Sequence, residues 1–199
     1  MQLLETIRFS SGSFSNLPYH QKRMNNSRKL LFNCGDEINL QVVLANQIGK
    51  LQTTELTKCR VVYDTEIRSI EFVNYSIPNI NLLKMIVCDD ILYNHKYANR
   101  DKINILLAQK EKADDIIIIK NGLITDSSFA NLLFFNGSHW LTPAQPLLNG
   151  TQRSKLLEQE QIVTADIRPA DLTNFTKVRL INAMLKFEDE VDVIIDNVY

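Results

Sequence analysis

Lys96 sits in His95-Lys96-Tyr97-Ala98-Asn99-Arg100, after an apolar stretch and before a helical one. Strand-to-helix junctions of that kind are where folds present reactive groups. Asp126 opens Asp126-Ser127-Ser128-Phe129-Ala130-Asn131, just past Asn121-Gly122. Thr-Asp-Ser-Ser is good turn chemistry, so Asp126 reads as a turn cap or as a buried acid. Leu148-Asn149-Gly150-Thr151-Gln152-Arg153 then opens a helix, and a glycine ahead of a helix start suits an anion site. The histidines His20, His95 and His139 are scattered, and no Cys-x-x-Cys or His-x-x-x-His pair suggests zinc. A dinucleotide fingerprint, a Walker loop and a nucleophile elbow are likewise missing from the sequence.

The elements that must position these residues fall into two groups. A hairpin is expected over Leu3–Phe9 with its turn at Gly12, then a helix from Tyr19 to Phe32 after Pro18. A second helix is expected from an Asp36 cap to Ile48, stopped by Gly49. Strands follow at Cys59–Tyr63, around Ile70–Asn74 and at Leu82–Cys88, giving a small α+β layer. After Asp89-Asp90 come a helix over Arg100–Lys112 and the strand Ile116–Ile119. Asn121-Gly122 and Asn136-Gly137 mark hairpins. A helix over Thr151–Gln161 and strands at Ile162–Ile167, Lys177–Ile181 and Val191–Ile195 complete a strand-rich half, expected as a closed or strongly curved sheet. The fold class is therefore α/β in the broad sense (α+β), with subdomains 1–90 and 91–199.

The chain has 199 residues, 45% of them hydrophobic and 23% charged, with a net charge of −1. That composition excludes disorder, and the absence of a basic excess argues against nucleic acid as a partner. Apolar runs such as Ile116–Ile119 are too short to span a bilayer, and the N-terminus lacks the pattern of a signal peptide. Cys34, Cys59 and Cys88, an odd count at wide spacing, fit reduced thiols in a cytoplasm.

The order of these segments resembles the class IV (fold-type IV) aminotransferase family, which holds branched-chain and D-amino-acid aminotransferases and 4-amino-4-deoxychorismate lyase. The resemblance runs from about Leu4 to about Ile195. His20-Gln21-Lys22-Arg23 is similar to the family's early helix with its phosphate-binding arginine. His95 to Arg100 resembles the segment with the Schiff-base lysine, in its lyase-like form. Asp126 to Asn131 resembles the acid-Ser-x-x-Ala-Asn segment, Gly150 to Arg153 the phosphate cup, and Leu180-Ile181-Asn182-Ala183-Met184 the late phosphate turn of the lyases.

The resemblance implies a D-amino-acid aminotransferase-like fold, with pyridoxal 5′-phosphate (PLP) in the cleft between the subdomains, and a homodimer. It makes Lys96 the catalytic amine, and Arg23, Lys96, Asp126, Gly150, Thr151, Gln152, Asn182 and Ala183 the cofactor-binding set. Such a lysine must be neutral to attack an aldehyde. A buried carboxylate keeps the pyridine nitrogen protonated, the role implied for Asp126. Arg60, Tyr97 and Asn131 are candidate substrate contacts; Arg60 reads equally as an arginine on the outer face of its strand, and Asn131 as a loop brace. No metal is implied.

The activity implied is that of 4-amino-4-deoxychorismate lyase, in folate biosynthesis, releasing 4-aminobenzoate and pyruvate. The alternatives are an amino-acid aminotransferase and a degenerate, non-catalytic PLP-binding protein. The last follows from aspartate standing where the family carries glutamate, and from a start later than that of family members.

Overall fold

A computed structural model describes residues 1–48 and 55–199. The expected stop at Gly49 lies outside the described residues. The chain forms two compact units, one of residues 1–77 and 95–99, the other of 78–94 and 100–199. The expected division at residue 90 differs from this in two places: the strand after Pro78 belongs to the second unit, and the segment around Lys96 to the first.

In the first unit, β1 (Leu3–Ser10), β2 (Ser13–Phe14), α1 (Leu17–Phe32), α2 (Leu40–Ile48), β3 (Thr57–Tyr63) and β4 (Ile67–Asn74) follow in chain order. The four strands form an antiparallel sheet in the order β2-β1-β3-β4. Period-2 alternation puts Leu3, Ile7, Cys59, Val61 and Tyr63 on one face, packed with Met24 of α1 and Leu40 and Leu44 of α2. Helix α1 begins at Leu17, ahead of Pro18, because proline is tolerated in a first turn where no intrahelical acceptor is needed.

Asp36 does not cap α2. Its carboxylate is drawn to Arg28, while the Asn39 side chain accepts the Val42 N–H and takes the capping place. Buried Arg28 also donates to the carbonyls of Asp36 and Thr65, tying α1 to two loops.

The second unit contains β5 (Leu83–Val87), α3 (Asp101–Leu107), β6 (Asp115–Lys120), β7 (Leu123–Ser127), β8 (Asn131–Phe135), β9 (Trp140–Pro143), α4 (Thr151–Glu158), β10 (Val163–Ala165), β11 (Lys177–Ile181) and β12 (Asp192–Ile194). The sheet runs β10-β9-β8-β7-β6-β5, with β11 joining β8 and β12 joining β11. Strand β8 pairs with β11 along 131–135, and with β7 at Asn131 and β9 at Phe134–Phe135, so the sheet curls there. Strand β5 pairs in parallel with β6 rather than joining the first sheet, since the isoleucine run of β6 is buried and needs cover on both sides. Asn121 and Gly122, with φ of 51° and 75°, make the tight turn between β6 and β7.

Candidate active site

Lys96 is placed by backbone pairing. Strand β2 covers β1 only at Phe9 and Ser10, which leaves the N-terminal half of that edge open. The segment 96–98 fills it: Leu4 N–H donates to the Lys96 carbonyl at 2.9 Å, Ala98 N–H donates to Gln2, and Tyr97 bridges Leu3. Tyr97 also packs against the core of the unit.

Next along β1 is Glu5, fully buried on the core face. His20 and Arg23, at i and i+3 on α1, both reach it. His20 Nδ1 lies 2.6 Å from Glu5 Oε2, and Arg23 donates through Nε to Oε1 at 2.9 Å and through Nη2 to Oε2 at 2.5 Å. Burial raises the Glu5 pKa, but the Arg23 charge and the bonds from His20 and Arg23 outweigh it and bring it down to about 2. Burial also pushes the His20 pKa down, against the pull of Glu5, and the charges of Arg23 and Lys96 act in the same direction as burial. One turn on, Ser27 Oγ lies 3.2 Å from His95 Nδ1 and is hydrogen-bonded to the buried Tyr63 phenol. Arg60 projects from the opposite face of β3, where it pairs at 3.5 Å with Glu71, its cross-strand neighbour, and is 38% exposed.

The second unit gathers three of the sequence candidates, Asp126, Asn131 and Gly150, into one network. Asp126, buried at the end of β7, accepts the Asn131 side-chain amide at 2.7 Å on Oδ1 and Leu148 N–H at 2.9 Å on Oδ2. Burial raises its pKa to about 6; the Leu148 N–H, the Asn131 amide and the Arg153 charge limit the rise. Asn131 also donates to the Leu148 carbonyl, and its Oδ1 would lie 2.0 Å from a Cβ at position 150. Gly150 is therefore required by a close approach: its backbone, at φ −67° and ψ 147°, suits any residue.

Thr151 and Gln152 follow, buried in the first turn of α4. Arg153 fixes that turn through Thr142, Pro143 and Asn149. Helix starts of this kind offer N–H groups and a positive dipole end to an anion.

Asn182 braces its own turn. Its Oδ1 accepts from Met184 and Leu185, its N–H donates to the Leu185 carbonyl, and its amide donates to Phe129, beside the Asp126 segment. Ala183 sits inside that turn, half-buried. Thus the Asn182 N–H serves the turn rather than standing ready as a phosphate donor.

Two buried acids escaped the sequence reading. Glu5 interrupts the apolar alternation of β1, which was the available signal. Asp115, at the start of β6, is buried and its pKa is raised by desolvation, against hydrogen bonds from Ser128, Ile116 and Ser127. Among the described residues no group of three or more His, Cys, Asp or Glu is arranged to hold a metal, and no helix is long and apolar enough to cross a membrane.

The model of the class IV amino-transferase family matches residues 2–187. The chain belongs to the class IV aminotransferase family. An uncharacterized protein of Haemophilus influenzae is 38% identical over 190 residues, covering 92% of this chain and 97% of that protein. Among solved structures, a candidate 4-amino-4-deoxychorismate lyase of Haemophilus somnus is 36% identical with a TM-score of 0.87, covering 94% of this chain and 97% of that one. A hypothetical aminotransferase of Mycobacterium tuberculosis, solved in a PLP-bound form, shares the fold at 17% identity and a TM-score of 0.75, covering 93% of this chain and 78% of that one. The class IV relatives make the chain an enzyme, with the α+β architecture and curled sheet of that family.

Proposed function

We propose that this class IV enzyme uses PLP to act on a primary amine, and that it is a 4-amino-4-deoxychorismate lyase. The observation that carries the cofactor reading is the Asp126–Asn131–Gly150 network. A buried acid, an asparagine and a glycine whose Cβ would run into that asparagine's side chain meet directly ahead of a helix start. The residues present fit the group. The Asp126 carboxylate takes N–H groups from Asn131, Leu148 and Leu147, and with about four lone-pair sites it keeps acceptor capacity for a protonated ring nitrogen. Gly150, Thr151 and Gln152 would supply a backbone cup for the phosphate, with Ala183 in the Asn182 turn as a further contact.

Bound PLP supplies an aldehyde and an electron sink for the substrate's α-carbon. The residues of the chain do the rest. Lys96 would hold the cofactor through its side-chain amine, and that amine, when free, would take and return the α-proton of the substrate. Asp126 keeps a proton at the ring nitrogen. Arg23 would contribute a cation near the phosphate, with its Nε and Nη2 engaged by Glu5. Tyr97, Asn131 and Arg60 are proposed substrate contacts, of which Arg60 would have to leave Glu71. The 36% identity and near-complete overlap with the Haemophilus somnus protein favour the lyase.

The test has two parts. Borohydride reduction of the yellow protein, followed by peptide mass spectrometry, should place the cofactor on Lys96; a label on another lysine rejects the assignment. Release of 4-aminobenzoate from aminodeoxychorismate without a keto-acid acceptor marks the lyase. Amino transfer that requires a keto acid would replace that reading with an aminotransferase. Binding of PLP with neither activity would mark a non-catalytic protein.

A further inference from the structure

The β6–β7 hairpin carries a lysine that the chemistry above does not use. Lys120, half-buried at the end of β6, donates from Nζ to the Ile91 carbonyl at 2.7 Å. Among the described residues that is the one bond its ammonium makes, and it has no acid partner there. An ammonium has three N–H donors, so two are left.

Lys120 and Ile91 line one cavity of about 290 Å³, which lies within the second unit. That is close to the lower bound of ligand pockets, about 300 Å³. The segment 91–94, the hairpin and the loop 145–147 enclose it. Asn94, Asn121 and Gln145 form its polar wall, and none of these carboxamides is hydrogen-bonded to another described residue. Buried Ile91 and Leu147 give an apolar floor, with Leu123 and the Tyr93 ring beside it. No aspartate or glutamate lines the cavity. Asp89, the acid next to the hairpin tip, accepts the Asn121 N–H at 2.7 Å.

None of the cofactor candidates lines this cavity. Thr125 and Leu147 do, while their chain neighbours Asp126 and Leu148 bond one another. Successive side chains of a strand point to opposite faces, so Thr125 and Asp126 serve different sides of β7.

We propose that this cavity is a binding site for a small monocarboxylate with a flat apolar body, whose charge pairs with Lys120. One ammonium matches one negative charge, whereas a phosphate dianion would keep a charge uncompensated in the cavity. The free N–H groups of Lys120 and of the carboxamides can take the two carboxylate oxygens through charge-assisted bonds. The apolar floor covers the rest of the molecule. The site stands whether or not PLP is the cofactor.

Benzoate and its neutral isostere benzamide are the probes, titrated into ¹⁵N-labelled protein with and without PLP. Backbone amide shifts of Tyr93, Lys120 and Leu147 should move saturably with benzoate in both conditions. Benzamide should bind at least about tenfold more weakly, since it lacks the charge-assisted contact. Lys120→Met should weaken benzoate by the same factor and erase its advantage over benzamide. If Lys120→Met does not fold, Gln145→Glu adds a like charge at an exposed position; it should weaken benzoate at least about tenfold and spare benzamide.

Equal affinity for the two probes, or wild-type benzoate affinity in the folded variant, overturns the proposal. So does a protein without saturable shifts. Saturable shifts confined to residues 126 and 148–152, and lost when PLP is added, would place benzoate at the cofactor side and end the proposal equally.

Discussion

Asp126 and Gly150 carry the sharpest consequences at the scale of single residues. The folded protein holds a proton on Asp126 up to about pH 6, against an ordinary value of 3.8. A carboxyl whose pKa is raised on folding makes the native state bind the proton more tightly. Stability attributable to Asp126 should therefore rise as pH falls from about 6 toward 3.8. Denaturant melts at pH 7, 5 and 4 should show that rise in wild type and its absence in Asp126→Asn. Glu5 has the opposite sign. Its depressed pKa gives stability that is complete above about 4.5 and is lost as pH falls toward about 2. The two windows separate, so an acid titration of stability should rise before it collapses.

Gly150→Ala brings a methyl group to 2.0 Å from Asn131 Oδ1. Overpacking of this kind costs about 1–3 kcal/mol. The loss should appear in urea melts and in weakened PLP binding together, and a neutral result in both would mean the Asn131 side chain simply swings away. Asp126→Glu restores the family's acid. If the carboxyl meets the ring nitrogen, that variant should keep or raise activity, and complete loss would count against the contact.

At the scale of elements, Arg28 shows how one buried side chain organises its neighbours. It joins α1 to the Asp36 loop and to the turn between β3 and β4. Arg28→Met keeps most of the volume but leaves the Thr65 and Asp36 carbonyls without their donor. Both acceptors belong to exposed residues, and hydrogen bonds of this kind contribute about 0.5–1.5 kcal/mol each, so a loss of about 1–3 kcal/mol is expected in chemical denaturation. A change below about 0.5 kcal/mol would show that water replaces the guanidinium.

The same element explains why the Asp36 cap expected from sequence was wrong. Local patterning marks Asp36 as a capping residue, but a cap competes with any cation the fold brings near, and Arg28 is eight positions away in sequence. Asn121-Gly122, by contrast, was readable directly, because both positive φ values are properties of the dipeptide itself. The ends of α3 and α4 came out shorter than expected since apolar spacing continues past the point where the hydrogen-bond ladder stops.

At the scale of the whole molecule, the C-terminus closes a sheet edge in the second unit. Met85 N–H donates to the Tyr199 carbonyl and Tyr199 N–H to Leu83, while Asn197 bonds Asn81. Removing 196–199 should bare that edge of β5, lower stability and promote association between copies. Size-exclusion profiles and urea melts of the shortened chain test this; an unchanged monomer fraction and midpoint would show that the terminal pairing is dispensable.

The sequence by itself determined the segments that matter: the Lys96 junction, the Asp126–Asn131 stretch, the glycine ahead of α4 and the Asn182 turn are all contiguous patterns. It also determined the class of fold, because alternating periods of apolar residues set strand and helix without knowledge of their partners. Tertiary structure alone decided which acid meets which base. Glu5, His20, Arg23 and the Lys96 backbone come from three separated stretches of chain, and Asp126 reaches Leu148 across 22 residues. Burial and electric field depend on the sum of everything nearby in space. A linear pattern can therefore name an ionisable residue, but it does not fix its charge, its tautomer or the partner that holds it.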